Sequence, residues 1–134
     1  MMASQPIRND RAPSVLIADD DVLILELLSE GFEIHGCRVF KAENGVDAWA
    51  VFNRESIDLV LTDIRMPGLD GAQLSHRIRK RSPMVKIAVM TGGDADAATD
   101  LLKAGTADYY FQKPFNLIGV CSCLVPEAKS VCSQ

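Results

Sequence analysis

Apolar and polar positions alternate along this chain in blocks of two lengths, short runs and longer periodic stretches. The first short run, Val15-Leu16-Ile17-Ala18, gives a strand over about 14 to 18 and ends in Asp19-Asp20. Val22-Leu23-Ile24-Leu25-Glu26-Leu27-Leu28 is too long for a strand and rich in helix formers, and it predicts a first helix ending near Gly36. Arg38 to Ala42 reads as a second strand and Glu43-Asn44-Gly45 as a turn. Val46, Trp49 and Ala50 then fall at helical spacing, with Trp49 expected in the core. Ile57 to Thr62 is a third strand, again ending in a carboxylate, Asp63, followed by the loop residues Met66-Pro67-Gly68-Leu69-Asp70-Gly71.

The remaining pattern continues in the same alternation. Leu74 and Ile78 mark one face of a third helix, Val85 to Met90 a fourth strand, and Ala98, Leu101, Leu102 and Gly105 a fourth helix closed by glycine. Tyr109 to Gln112 is the fifth strand. A last segment, Asn116 to Pro126, carries no charge; a helix there should begin after Pro114 and end or kink before Pro126, because proline lacks a donor and crowds the preceding turn. Five short apolar strands alternating with helices predict an α/β fold, a doubly wound parallel sheet with its site where the strands' carboxyl ends meet. Asp19, Asp20 and Asp63 should therefore converge. Like charges so placed raise one another's pKa unless a cation compensates, and magnesium (Mg2+), with its preference for a few carboxylate oxygens and waters, suits the site.

Composition narrows the function classes. At 134 residues the chain is expected to form one domain, residues 14–134, behind a polar, disordered lead-in at 1–13. A net charge of -4 argues against direct nucleic-acid binding, and the basic cluster Arg77, Arg79, Lys80 and Arg81 reads as the solvated side of a helix. No run reaches membrane-span length and the start lacks a signal-peptide core, so a cytoplasmic protein with no membrane contact is expected. The four cysteines have no metal-finger spacing; they read as reduced, with Cys37 as core filler.

Two further strand ends add to the carboxylates: Met90-Thr91-Gly92-Gly93 and Gln112-Lys113-Pro114-Phe115. A carboxylate nucleophile, two carboxylates for a metal, a hydroxyl and an ammonium form an inventory for phosphoryl transfer, which depends on positioning and charge neutralisation. In order and spacing, Val15 to Asp21, Asp58 to Gly71, Met90-Thr91 and Lys113-Pro114-Phe115 resemble the receiver domain of two-component response regulators, over residues 14 to about 118. That resemblance implies the flavodoxin-like fold of the chemotaxis regulator, with strand order 2-1-3-4-5.

It also implies roles. Asp63 matches the phospho-acceptor, supplied by a phosphohistidine of a sensor histidine kinase or phosphotransfer protein, and Asp20 the direct metal ligand. Asp19 would hold metal-bound water, and the Arg65 carbonyl would complete the protein's share. Lys113 matches the lysine that binds phosphoryl oxygens, followed by a customarily cis proline, here Pro114. Thr91 matches the switch hydroxyl and Tyr110 the switch aromatic, while Arg65 and Gly93 occupy the two positions that tune phosphoryl lifetime. Asp21 reads as a helix cap. No enzyme activity is implied beyond catalysis of the domain's own phosphorylation and dephosphorylation.

The resemblance leaves the output open. A stand-alone regulator that docks an unknown downstream target through the fourth helix, fifth strand and fifth helix is the simplest expectation. The uncharged fifth segment suggests an apolar surface for a partner or a homodimer. The alternatives are a receiver piece of a larger hybrid kinase or DNA-binding regulator and, from another class, a dehalogenase-type phosphatase. The last is disfavoured because Asp21 follows Asp20 directly and leads into a helix.

Overall fold

The computed structural model describes residues 12–113 and 116–132. Most of the expected lead-in, and Pro114 with its expected cis bond, therefore lie outside the described residues. Five strands, β1 (Ser14–Ala18), β2 (Arg38–Ala42), β3 (Leu59–Asp63), β4 (Lys86–Thr91) and β5 (Tyr109–Gln112), form one parallel sheet in the order β2-β1-β3-β4-β5. Between and after them run α1 (Val22–Ile34), α2 (Gly45–Arg54), α3 (Gly71–Arg81), α4 (Ala95–Lys103) and α5 (Leu117–Cys132). The doubly wound expectation and its strand order hold.

Successive strand side chains point to opposite faces, so each central strand feeds two cores. Val15, Ile17, Leu59, Leu61, Ala88 and Met90 pack under α1 and α5, with Leu28, Phe32 and Leu124. Leu16, Val60, Ile87 and Val89 pack under α2, α3 and α4, with Phe52, Leu74, Ile78 and Leu101. Burial on both faces explains why the central strands read as unbroken apolar runs.

Several local expectations need correction. On α2 the buried residues are Gly45, Ala48 and Phe52, whereas Val46 and Ala50 are exposed. Trp49 is only half-buried, stacked on Phe52 at 6.2 Å with the Arg77 guanidinium 5.9 Å over its ring. The helix has rolled because Gly45 lies against Leu69: an added Cβ would lie 2.7 Å from the Leu69 carbonyl carbon, so glycine sets which side faces inward. Arg79 does not belong to a solvated stripe. It bonds the carbonyls of Thr106, Pro83 and Val85 and the carboxylate of Asp108, tying the end of α3 to the turn before β5.

The fifth helix does not end before Pro126; it runs on to Cys132 with the proline inside. Val120, Cys121, Leu124, Val125 and Ala128 are buried against α1 and the sheet, and this packing on both sides of the proline outweighs the lost backbone bond. The apolar character of the segment is thus mostly spent inward. Its exposed residues, Asn116, Gly119, Ser122, Cys123 and Pro126, are small or polar, and Ile118, 75% exposed, is the large apolar exception.

Candidate functional site

Register carries the chemistry to one edge. Ala18 pairs with Thr62 across β1 and β3, so the next residues on each strand, Asp19 and Asp63, emerge side by side. Carboxylate oxygens of Asp19, Asp20 and Asp63 lie within 4.8 Å of one another, with Asp19 and Asp63 buried and Asp20 exposed. The convergence expected from two strand ends is present.

The loops hold these groups through backbone donors. Asp19 Oδ1 accepts from the Asp21 N–H at 2.9 Å, and Asp21 in turn caps α1, accepting from Leu23 and Ile24. Asp63 Oδ1 accepts from the Arg65 N–H at 3.2 Å. Thr91 pairs with Gln112, which sets Lys113 beyond the end of β5, its N–H donating to the Thr91 carbonyl at 2.8 Å. From there the ammonium reaches across the pocket, donating to Asp19 Oδ2 at 2.9 Å and to Asp63 Oδ2 at 3.1 Å.

Burial pushes the Asp19 carboxyl above the usual range, against the lowering pull of the Asp21 N–H and of Lys113. The neighbouring charge of Asp63 adds the smallest contribution, so desolvation rather than like-charge repulsion dominates. Burial also opposes the charge of Lys113, but its bonds to Asp19 and Asp63 outweigh that and hold the ammonium above its ordinary pKa.

Three carboxylates meeting at one edge, one exposed to solvent and the cluster answered among the described residues by the Lys113 ammonium, are an oxygen donor set with negative charge in excess. That chemistry fits a hard divalent cation. Asp19, Asp20 and Asp63 have the oxygens to hold one.

The other expected residues divide. Thr91, the last residue of β4, is buried, and its hydroxyl oxygen accepts from the N–H groups of Gly93 and Asp94, at 3.3 and 3.0 Å, leaving its own proton to donate. Tyr110 lies back from the edge, packed against the α2–α4 core, with its hydroxyl buried and unpartnered among the described residues. Tyr109 faces the other core, its hydroxyl bonded to Glu127. The Arg65 side chain turns away from the carboxylates to form a two-pronged ion pair with Asp94, one prong being Nη2 to Oδ1 at 2.8 Å. Sequence reasoning did not single out Asp94; its one local signal was a carboxylate just before a helix, which reads as an ordinary cap.

Comparison with known proteins agrees with this geometry. The family model of the response regulator receiver domain matches residues 15–122. Sporulation initiation phosphotransferase F of Bacillus subtilis is 34% identical over 77% of this chain and 83% of its own length. Response regulator protein FleR of Pseudomonas aeruginosa is 37% identical over 78% of this chain, which spans only 22% of that relative. Among solved structures, a CheY-like receiver domain protein of Methanospirillum hungatei superposes with a TM-score of 0.83 at 26% identity, over 90% of this chain and 96% of its own. A Francisella receiver domain does so at 0.79 and 28% identity, over 88% and 98%. These likenesses replace the phosphatase alternative: the chain belongs to the receiver domain family of two-component response regulators.

Proposed function

We propose that this receiver takes a phosphoryl group onto Asp63 from the phosphohistidine of a sensor histidine kinase or phosphotransfer protein. An Asp63 carboxylate oxygen bonds to phosphorus as the phosphorus–nitrogen bond breaks, its electron pair returning to the imidazole, and the product is an acyl phosphate. Lys113 would bind the transferred oxygens, exchanging its present bond to Asp63 for one to the phosphoryl group. Asp19, Asp20 and the carbonyl of Arg65 would hold Mg2+ together with Asp63. When bound, the ion supplies charge neutralisation for the incoming phosphoryl oxygens. Thr91 would donate its hydroxyl proton to the phosphoryl group, and Tyr110, with an unsatisfied hydroxyl, would repack as α4 responds.

The observation that carries this reading is the Lys113 ammonium bonded at once to Asp19 and Asp63. Intact-mass measurement after incubation with acetyl phosphate and magnesium tests it. The parent protein should gain one phosphoryl group and Asp63→Asn should not. No gain by the parent, or an equal gain by the variant, refutes the assignment.

In this reading the receiver runs over 14–134 behind the lead-in 1–13 and works in the cytoplasm. Among the described residues no helix is long and apolar enough to cross a membrane. Two outputs have support. Likeness over 83% of the length of the Bacillus phosphotransferase favours a receiver that passes its state to a downstream protein, as in a phosphorelay. The 22% coverage of FleR favours a receiver within a larger regulator. In either case the changed surface would be α4, β5 and α5, where the exposed Ile118 on an uncharged face would serve a partner or a homodimer.

A further inference from the structure

Asp94 stands at the cap position of α4, yet its side chain caps nothing there. The Thr91 hydroxyl oxygen accepts from the Asp94 and Gly93 N–H groups in the turn that leads into the helix. The Asp94 carboxylate is committed instead to the guanidinium of Arg65, across a separation of 29 residues. Arg65 follows Asp63 by two positions and is bonded to it through its own N–H. The ion pair therefore joins the loop that carries the acceptor to the residue just before α4. Each partner holds the other charged: the Arg65 pKa is raised by its bond to Asp94, and that of Asp94 is lowered by the same bond.

We infer that Asp94 is a positioning residue that holds Arg65 away from the acceptor in the resting chain and loses it to the phosphoryl group after transfer. The inference rests on Asp63 being the acceptor. A phosphoryl group carries nearly two negative charges and three acceptor oxygens, against one charge on a carboxylate, and the planar guanidinium fork suits either. Once Arg65 leaves, the Asp94 carboxylate is free to accept from the N–H groups of the first turn of α4. Phosphorylation would then reach α4 by two routes, through Thr91 and through release of Asp94. Asp94 also becomes a determinant of phosphoryl lifetime, because it competes for the one long cation of the acceptor loop.

The test is the rate of phosphoryl loss, followed by intact mass after acetyl phosphate is removed, for the parent, Asp94→Asn, Asp94→Glu, Arg65→Gln and the Asp94→Asn/Arg65→Gln double variant. Asparagine still caps a helix, so Asp94→Asn isolates the charge. With an exposed pair, Asp94→Asn should lengthen the lifetime by about two- to five-fold, less at high salt. Asp94→Glu should return it toward the parent value, and in the Arg65→Gln background the asparagine should change nothing. If Asp94→Asn decays at the parent rate, or changes the rate equally without Arg65, the positioning role is refuted while Asp63 remains the acceptor. If the parent takes up no phosphoryl group, the acceptor reading and this inference both fall.

Discussion

Gly71→Ala is the substitution through which packing and chemistry can be read together. Gly71 opens α3 directly against the end of β3. A Cβ there would lie 2.7 Å from Ile64 Cα and 2.8 Å from the Asp63 carbonyl carbon, and closer still to the Asp63 carbonyl oxygen. All three are backbone atoms between a fully buried strand and a helix start, so no flexible side chain can give way. Moving the helix start outward breaks the bond from the Gly71 N–H to the Ile64 carbonyl, 2.8 Å. Overpacking costs about 1–3 kcal/mol and the lost bond about 0.5–1.5 kcal/mol, together about 1.5–4.5 kcal/mol. With a urea slope of roughly 2 kcal/mol per molar, the unfolding midpoint should fall by about 1–2 M.

The strand end that must shift is the one that carries the acceptor, so the folded fraction should also take up phosphoryl from acetyl phosphate about tenfold more slowly, or worse. Gly93→Ala is the control, since a Cβ there meets nothing within 4 Å; its stability should stay within about 0.5 kcal/mol of the parent. A Gly71→Ala protein that unfolds within about 0.5 kcal/mol of the parent would refute the close-approach reasoning.

Three further outcomes follow from the same geometry. Lys113→Ala leaves Asp19 and Asp63 without their shared ammonium; since the lysine is partly exposed, the loss should be about 1–3 kcal/mol, below that for a fully buried pair. Added magnesium should then stabilise the variant more than the parent, and equal gains in paired urea melts would refute the charge argument. The Tyr109 hydroxyl, bonded to Glu127, is pushed up to about 12. The folded state therefore keeps a proton that the unfolded chain loses near its ordinary pKa of about 10. Stability should fall as pH rises from about 10 to about 12. Glu127→Gln should bring the tyrosinate absorbance transition down, and an unmoved transition would assign the shift elsewhere. Pro126→Ala should restore a donor for the exposed Ser122 carbonyl and raise stability by about 1–3 kcal/mol in urea unfolding; a loss of stability would mean that the proline is packed rather than tolerated.

The frame of the molecule was legible in one dimension because its causes are local. Val15 to Ala18 and Leu59 to Leu61 are apolar at every position since both of their faces are covered, and a parallel sheet leaves their terminal carboxylates at one edge. The same holds for Thr91 and Lys113 at the ends of β4 and β5, and for the cap at Asp21. The convergence of Asp19, Asp20 and Asp63 and a site suited to a cation could be written down from run lengths and run ends, whereas the strand order came only from the resemblance to the receiver family.

Tertiary packing decided what depends on a distant neighbour. Which side of α2 faces inward was set by Leu69 pressing on Gly45, so Val46 and Ala50 turned outward and Trp49 came only halfway in. Arg79 left the solvated stripe because Asp108 and three carbonyls lay within its reach. α5 passed through Pro126 because α1 and the sheet hold both halves of it. Asp94 gave up its helix cap for Arg65, a partner 29 positions away. Periodicity reports how each segment divides itself between core and water. It carries no record of which side chain from another loop arrives to claim a charge, and around Asp63 that meeting sets where the positive charges lie.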